Sequence, residues 1–229
     1  MRYAIYFTPG EADPLTRAAE RWIGRSAFSD AVPAPLDADL AFHTASARRY
    51  GFHATMKAPF RLTEGRSEAE LVDAFDRWTA ARAPFVGPRL VIGQIDGFFA
   101  LVPEGRSADL DTLARDLTVD FDAFRAPAGE AEIARRNPER LTTRQVRHLH
   151  EWGYPYVMED FRFHMTLTGR VGGEDAAQLR RRLEAHFGAL LDAPVAFASL
   201  ALFVEPEPGA PFTVRAFRPL GRNLARKTA

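Results

Sequence analysis

Apolar and polar residues alternate in several short segments of the chain, and they recur at helical spacing in others. Alternation is typical of half-buried strands, whereas spacings of three and four residues are typical of helices with one buried face. The pattern predicts strands at residues 2–7, 51–62, 89–95, 98–102, 160–170, 194–204 and 212–218. It predicts helices at 14–24, 68–83, 108–123, 138–151 and 174–188. Irregular structure is expected at 29–47, with at most a turn of helix, at 125–137, and in a frayed tail at 222–229.

Capping and turn residues support several of these boundaries. Asp13 is a suitable N-cap for the first helix, and Gly24 is a suitable stop. Ser67 is followed three residues later by Glu70, which is the pattern of a capping box. Asp96-Gly97 is a dipeptide that favours a tight turn between two strands.

The predicted elements occur twice in the same order, strand, helix, strand, helix, strand, once before Asp96-Gly97 and once after it. Two copies are too few for a solenoid, in which each repeat stacks on the next. The duplication therefore predicts an α+β fold of two pseudo-symmetric lobes, each an antiparallel sheet with helices on its outer face. We expect one bilobal domain over residues 1–229, with a lobe boundary near 96–97 and exchange of strands between the lobes left open.

One short phrase recurs in the middle strand of each copy, as Phe52-His53-Ala54-Thr55-Met56 and as Phe163-His164-Met165-Thr166-Leu167. Successive side chains of a strand point to opposite faces. In each phrase the histidine and the threonine therefore share one face, and the apolar residues share the other. If the two strands meet at the lobe junction, they form a central cleft with two imidazoles and two hydroxyls.

Two imidazoles in one cleft suit general acid–base catalysis, because histidine titrates at about pH 6.5 and one ring can be neutral while the other is charged. Cleavage of a phosphodiester needs both roles, one to activate the nucleophile and one to protonate the leaving oxygen. Threonine hydroxyls can donate hydrogen bonds to the non-bridging phosphoryl oxygens. This reaction requires no metal and no cofactor. The two phrases are equivalent on paper, so the sequence does not say which histidine is the base.

Composition narrows the function classes. The chain has 30 basic and 30 acidic residues, and this balance argues against binding of long nucleic acid, although an RNA end remains open. Cysteine is absent, which excludes thiolate nucleophiles, disulfides and cysteine-based metal sites. No apolar run approaches the roughly 20 residues of a membrane span, and no signal peptide is evident at Met1, so we expect a cytoplasmic protein.

Residues outside the two phrases are candidates for substrate binding. Lys57 shares the predicted face of His53 and suits a phosphate as a point charge, unless it is a solvated strand residue. Tyr154 and Tyr156 flank a proline before the second phrase, where they either line the cleft or pack the loop. Tyr50, three residues before His53, is a further candidate.

An inserted segment near 125–158 carries a group of arginines. Either they reach over the cleft to a second phosphate or they form a solvated face. The group consists of Arg125, Arg135, Arg136 and Arg140, of which Arg125 is the binding candidate. Whether the segment acts as a lid is left open. His148 and His150 in the same segment fall two apart on a predicted helix and so do not face together, and we predict no metal site there.

With these residues the chain resembles the two-histidine (2H) phosphoesterase superfamily, whose hallmark is His-x-Thr or His-x-Ser on strands of two pseudo-symmetric lobes. The resemblance covers nearly the whole chain. Residues 49–60 and 152–157 look like a branch that is encoded beside bacterial phosphonate-utilisation genes. The resemblance implies that His53, Thr55, His164 and Thr166 are catalytic. It also implies a hydrolase that acts on cyclic phosphates of nucleotides, RNA ends or ribose derivatives, and the branch points to a ribosyl cyclic phosphate or a related phosphonate-pathway intermediate.

Two alternatives use the same cleft. One is a module that binds a nucleotide or an RNA end without chemistry. The other is a transferase or ligase that joins phosphate ends, although the sequence has no Walker-type loop for ATP. The natural substrate and the oligomeric state are not indicated by the sequence.

Overall fold

The structure, a computed structural model, describes residues 1–30 and 35–221. Within these ranges the chain forms strands β1 (Arg2–Phe7), β2 (Ala54–Phe60), β3 (Phe85–Ile95), β4 (Phe98–Pro103), β5 (Met165–Arg170), β6 (Pro194–Phe197), β7 (Ser199–Glu205) and β8 (Thr213–Pro219). The α-helices are α1 (Pro14–Ile23), α2 (Ala38–Tyr50), α3 (Glu68–Ala80), α4 (Ala108–Asp120), α5 (Glu130–Ala134), α6 (Thr143–Trp152) and α7 (Gly173–Phe187). The predicted tail at 222–229 lies outside the described residues.

The strands form one sheet in the order β6-β3-β4-β5-β2-β1-β7-β8, and neighbouring strands pair antiparallel. The two phrase-bearing strands, β5 and β2, are adjacent at the centre, where their register is the single pair Ala54 and Met165. We call the four strands on one side of this junction the β2 half-sheet (β2, β1, β7, β8). The other four form the β5 half-sheet (β5, β4, β3, β6). The predicted α+β fold with two antiparallel lobes is confirmed.

The half-sheets exchange strands between the two copies in the chain. β3 follows β2 in sequence but pairs with β4 in the β5 half-sheet, whereas β7 pairs with β1 in the β2 half-sheet. Asp96 and Gly97 form the tight turn between β3 and β4, with φ of 46° and 90°. This turn separates the two copies along the chain, but it lies inside the β5 half-sheet, so the sheet does not divide at the boundary expected near 96–97.

The sheet curls on itself around a cluster of phenylalanines. Only Ala198 separates β6 from β7, although these strands belong to different half-sheets. The ring of Phe197 lies 4.3 Å from that of Phe7 in the β2 half-sheet and 5.0 Å from that of Phe85 in the β5 half-sheet. A Cβ at Gly87 would collide with the Phe197 ring, so this position requires glycine. The strand from 194 to 204, predicted as one element, is interrupted at Ala198 and ties the two half-sheets together.

Helices cover the face of the sheet opposite the histidines. α1, α3, α4 and α7 each bury an apolar stripe against it, with residues such as Leu71 and Leu117 fully buried. Ala54 and Met165 at the central junction belong to this core. Trp22 of α1 also donates a hydrogen bond through Nε1 to the Leu167 carbonyl in β5, at 3.0 Å. The core thereby fixes which face of the central strands is buried and leaves the opposite face to the histidines and threonines.

The prediction of irregular structure at 29–47 was wrong for most of its length, because α2 begins at Ala38. Asp37 caps this helix by accepting a hydrogen bond from the backbone N–H of Leu40, at 2.8 Å. The helix ends against the guanidinium of Arg25, which donates to the carbonyls of Arg48 and Arg49. The hydrophobic pattern is weak here because much of the helix surface is polar. Residues 31–34, which include Pro33, lie outside the described part of the chain.

Smaller differences occur elsewhere. α5 forms within the predicted irregular segment 125–137, and α6 begins at Thr143 rather than at 138. Within the described ranges, every helix is too short or too polar to cross a lipid bilayer.

Candidate active site

The register of the central strands brings the two phrases side by side. Around the pair Ala54 and Met165, an antiparallel ladder sets His53 opposite Thr166 and Thr55 opposite His164. Diagonal neighbours across such a pair lie about 7–8 Å apart, which is the relation of His53 to His164. All four side chains line one cavity of about 230 Å³, which we call the histidine cavity. Their catalytic role remains a prediction, but the structure brings all four together.

His53 is oriented by the backbone that precedes it. Its Nδ1 lies 3.0 Å from the carbonyl oxygen of Gly51, and because a carbonyl only accepts, Nδ1 carries the proton. Nε2 is then the basic nitrogen, and it lies 3.4 Å from the Thr55 hydroxyl. The ring of Tyr6 stacks on the imidazole at a centroid distance of 3.9 Å. These contacts present Nε2 of His53 as a proton acceptor on the histidine cavity.

His164 has an equivalent setting in the other half-sheet. Its Nδ1 lies 2.7 Å from the Arg162 carbonyl, so Nδ1 is again the donor and Nε2 the basic nitrogen. The ring of Phe98 packs beside the imidazole at 5.7 Å. The backbone carbonyl two residues upstream thus fixes the tautomer of both histidines in the same way.

The two imidazoles differ in their electrostatic surroundings. Burial lowers the pKa of His53 to about 4, against the opposing effect of the Gly51 carbonyl, and the charge of His164 lowers this pKa further. Burial also lowers the pKa of His164, with the Arg162 carbonyl opposing the shift. The charge of the Arg162 side chain lowers this pKa further, and the carboxylate of Asp96 raises it. Both rings are therefore neutral near pH 7 in the protein alone. An anion bound between them would favour the protonated form of either ring.

The remaining walls of the histidine cavity come from β1, α2 and the inserted segment. Tyr6 lies opposite Thr55 in the β1–β2 register, and Arg2 lies on the same strand. Ser46 reaches the cavity from α2. None of these three residues was predicted from the sequence. Alternation along β1 puts Arg2 and Tyr6 on one face, and this pattern could have identified them. Ser46 could not be identified in this way because α2 was predicted as a loop.

Lys57 does not reach the histidine cavity, contrary to the prediction from strand parity. Lys57 pairs with Ile5 and Thr55 with Tyr6, so β2 has one extra residue at Met56 and bulges there. The bulge turns Lys57 into the interior, where it is 3% exposed and Nζ donates to the Thr118 carbonyl at 2.8 Å. Burial lowers its pKa to about 8, with Asp122 opposing the shift. The structure therefore gives Lys57 a packing role on the face opposite the histidines.

The three candidate tyrosines lie at the cavity walls. Tyr50 lines the histidine cavity and stacks on Phe212 at 5.3 Å. Tyr154 lines the same cavity, and the Arg136 guanidinium lies 4.9 Å from the centre of its ring. Tyr156 lines an adjoining cavity of about 440 Å³ that also includes His164. Substrate binding by these tyrosines remains a prediction.

Arg125, the predicted binding arginine, lies beside the histidine cavity rather than in its wall. Its guanidinium pairs with Asp122 at 2.7 Å and donates to the Glu151 carbonyl at 2.7 Å. It lines a second cavity that contains several further arginines. Arg140, from the same predicted group, lines none of the cavities described here.

His148 and His150 lie on different sides of α6 and do not face together. His148 is buried, with its ring nitrogens 3.7 Å from Glu159 and 3.5 Å from Asp160. His150 is exposed on the other side of α6. No group of three or more histidine, aspartate or glutamate side chains among the described residues is arranged to hold a metal ion.

Comparison with known proteins places the chain in a family. Residues 55–213 match the family described as "Protein of unknown function (DUF1045)". The chain belongs to the DUF1045 family. The match begins at Thr55 and includes the second phrase, so it covers most of this DUF1045 chain. Of the four predicted catalytic residues, Thr55, His164 and Thr166 lie inside the matched region.

Curated relatives of this DUF1045 protein are longer than the chain itself. It is 40% identical over 221 residues to the "Ribose 1,5-bisphosphate phosphokinase PhnN" of Janthinobacterium sp. (strain Marseille), covering 92% of this chain and 49% of that protein. It is 40% identical over 217 residues to the protein of the same name from Laribacter hongkongensis (strain HLHK9), covering 93% and 50%. The chain spans about half the length of the curated relatives it matches.

Solved structures similar to the chain are distant in sequence. E. coli LigT complexed with 3'-AMP matches with a TM-score of 0.47 and 13% identity, over 96% of this chain and 98% of that chain. A structure described as a phosphoesterase matches with 0.44 and 13%, over 96% and 99%. The protein TT0787 of Thermus thermophilus matches with 0.44 and 20%, over 96% and 98%.

Proposed function

We propose that this protein is a metal-independent phosphodiesterase that opens a small cyclic phosphate of the ribosyl or nucleotide type, with a 2',3'- or 1,2-cyclic linkage. One observation carries the proposal: His53 and His164 line one cavity, and each holds its Nδ1–H on a backbone carbonyl. Each Nε2 is thereby left to exchange a proton with a substrate between them.

The reaction needs one proton acceptor and one proton donor. Neutral Nε2 of one histidine takes a proton from water as the water oxygen attacks phosphorus. The P–O bond to one ribose oxygen breaks, and protonated Nε2 of the other histidine gives that oxygen its proton. The product is a phosphate monoester with one free hydroxyl, and the two histidines have exchanged protonation states. Each histidine contributes on the order of a hundred- to ten-thousandfold in rate.

The surroundings of the two rings favour one assignment of roles. The stronger depression of the His53 pKa keeps that ring neutral, which suits the base. The pKa of His164 is lowered to a smaller extent, so this ring is the more easily protonated of the two, which suits the acid. Thr55 and Thr166 then donate hydrogen bonds to the non-bridging oxygens as negative charge develops on them.

The substrate class follows from the size and walls of the histidine cavity together with the relatives. A cavity of about 230 Å³ suits a small molecule rather than a polynucleotide. The name of the curated relatives refers to a phosphorylated ribose, which supports a ribosyl substrate. We also propose, as expected from the sequence, that the substrate is an intermediate of phosphonate metabolism and that the protein is cytoplasmic.

The test is hydrolysis of ribose 1,2-cyclic phosphate and of nucleoside 2',3'-cyclic phosphates in the presence of EDTA. His53→Ala and His164→Ala are each expected to lower kcat by roughly a hundred- to ten-thousandfold. His150→Ala is the matched control, because His150 is exposed and lines no cavity described here. Unchanged thermal unfolding of the variants would show that folding is retained.

Three outcomes would contradict the proposal. Turnover that EDTA abolishes would contradict the metal-independent reaction. Equal ligand binding by wild type and by the double His→Ala variant, with no product from either, would indicate a binding module. Product formation that requires ATP or a second polynucleotide end would indicate an end-joining enzyme.

A further inference from the structure

A second cavity opens beside the histidine cavity and is lined by arginines. It measures about 220 Å³, and we call it the arginine cavity. Its cationic residues come from distant parts of the chain: Arg2, Arg49, Arg61, Arg125, Arg135 and Arg136. The two cavities share Arg2, Tyr50, Pro59 and Arg136 as common walls. One ligand can therefore contact both cavities at once.

Two of these arginines are held by one buried carboxylate. Glu205 is fully buried and accepts hydrogen bonds from Arg2 and Arg49. Burial alone would raise the pKa of Glu205, but these hydrogen bonds and one from the Gly209 N–H hold it at about 2. The guanidinium groups of Arg2 and Arg49 are thus fixed in the cavity wall before any ligand arrives.

The cavity carries more positive charge than its carboxylates balance. Arg61 pairs with Glu132 at 3.1 Å, and Arg125 pairs with Asp122. Three carboxylates therefore serve four arginines. In residues 1–30 and 35–221, neither Arg135 nor Arg136 has a carboxylate within 4.0 Å.

The hydrogen-bonding state of the wall also favours an anion. Nε of Arg49 is buried and has no hydrogen-bond acceptor among the described residues. A buried donor without an acceptor is unfavourable, so the Arg49 guanidinium has hydrogen-bonding capacity that its protein partners leave unused. Guanidinium groups form paired hydrogen bonds with phosphate oxygens, so a phosphate suits a wall of several arginines.

On the basis of the proposed function, we infer that the arginine cavity binds a phosphate monoester of the same substrate molecule whose cyclic phosphate lies between the histidines. The substrate class is then a sugar with two phosphates, one cyclic diester and one terminal monoester. The sugar lies along the shared wall formed by Tyr50 and Pro59. The monoester is bound and held in place, and only the cyclic diester reacts.

The test compares matched substrates that differ only in the terminal phosphate. Ribose 1,2-cyclic phosphate is measured with and without a 5-phosphate, and adenosine 2',3'-cyclic phosphate with and without a 5'-phosphate. We expect at least a roughly tenfold higher kcat/KM for the phosphorylated member of at least one pair, mainly through a lower KM, because hydrogen bonds to charged groups contribute this much or more. Equal kcat/KM within both pairs would overturn the inference.

Variants of the cavity arginines test whether the preference for the terminal phosphate arises in the arginine cavity. Arg61→Gln and Arg135→Gln are expected to reduce the ratio of the two kcat/KM values by roughly tenfold each. Arg140→Gln is the matched control, since Arg140 lies in the same inserted segment but lines neither cavity. A preference that persists in both cavity variants would place the phosphate elsewhere and overturn the inference.

Binding measurements separate this inference from the proposed function. Calorimetry with ribose 5-phosphate and the double variant His53→Ala/His164→Ala measures monoester binding without turnover. If the wild type hydrolyses no cyclic phosphate but Arg61→Gln still weakens this binding, the arginine cavity is supported and the proposed function is contradicted. Hydrolysis of cyclic phosphates without any preference for the terminal phosphate would support the proposed function and contradict the inference about the arginine cavity.

Discussion

At the residue scale, the two histidines owe their chemistry to backbone carbonyls rather than to carboxylates. In each case the partner of Nδ1 is the carbonyl two residues upstream, in Gly51 and Arg162. A neutral carbonyl fixes the tautomer but does not stabilise the imidazolium as a carboxylate would. Burial therefore dominates, and the pKa of both rings falls below the ordinary value near 6.5.

This environment predicts an acidic optimum for catalysis by the free protein. The kcat/KM profile requires one neutral and one protonated imidazole, so its maximum lies between the two pKa values and below pH 6.5. On the acidic side the rate falls as His53 becomes protonated near its pKa of about 4, and on the basic side it falls as His164 loses its proton. The kcat profile is expected at higher pH, because bound phosphate raises both pKa values.

Adenosine 2',3'-cyclic phosphate is the suitable probe, since its diester keeps one charge over this range. The measurement is kcat/KM from about pH 4 to about pH 9, which spans both limbs of the profile. A maximum above neutral pH would contradict the assignment of two partly buried imidazoles with lowered pKa values as the acid and base.

Residue-level prediction from the sequence succeeded where strand parity holds and failed where it breaks. Alternation was enough to place His53 with Thr55 and His164 with Thr166 on one face. Alternation breaks two residues further on, because the bulge at Met56 turns Lys57 to the other face. A bulge depends on the partner strand, and nothing in the local pattern reveals it.

At the element scale, α2 does more for the site than its sequence suggested. The helix supplies Ser46 and Tyr50 to the histidine cavity, and it ends where the first phrase begins. Gly51 makes that connection with φ of 75°, and a Cβ there would lie 2.7 Å from the Cβ of Ala27. The position of His53 therefore depends on a glycine at the end of a helix.

Substitution of this glycine is expected to affect both stability and catalysis. Gly51→Ala should lower the free energy of unfolding by about 2–3 kcal/mol, because it combines an unfavourable φ with a collision. It should also lower kcat by roughly ten- to a hundredfold, since the Gly51 carbonyl orients His53. Denaturant unfolding and steady-state kinetics measure the two effects.

Gly65→Ala is the control that measures the cost of the unfavourable φ without a collision. Gly65 has φ of 78°, but a Cβ there would meet nothing within 4 Å. That variant should lose about 1 kcal/mol of stability and no activity. Equal behaviour of the two variants would show that the contact with Ala27 is unimportant.

The arginine cavity could not be predicted from the sequence, because its residues come from elements that are far apart in the chain. The inserted segment contributes Arg125, Arg135 and Arg136, and these were visible as a local group. Arg2, Arg49 and Arg61 belong to a strand, a helix and a loop, and only the tertiary structure brings them to the same cavity. Likewise, the duplication predicted two lobes but could not show which strands they exchange.

At the scale of the whole molecule, strand exchange makes the two lobes interdependent. The β2 half-sheet contains β7 from the second copy, and the β5 half-sheet contains β3 from the first. Phe197 packs against rings from both half-sheets. The large apolar cluster also runs through both half-sheets and the helices over them. The main core is therefore shared between the lobes, and a smaller cluster around Tyr6, Phe203 and Phe212 lies on the β2 half-sheet alone.

We therefore expect the protein to unfold in a single cooperative transition. Tryptophan fluorescence and far-UV circular dichroism should give the same urea midpoint, because loss of either half-sheet removes strands and core residues from the other. Trp22 of α1 and Trp78 of α3 place fluorescence probes on two of the packed helices. Two separate midpoints would indicate lobes that are stable independently.

The exchange also sets an order on biosynthesis. β1 and β2 are synthesised well before β7, which pairs with β1 on its outer side and begins only at Ser199. Until β7 emerges, both phrase-bearing strands belong to an unfinished sheet with open edges, which are prone to wrong pairing. A nascent chain that has not yet reached β7 therefore exposes these edges, and a cell has reason to guard it with chaperones until that strand arrives.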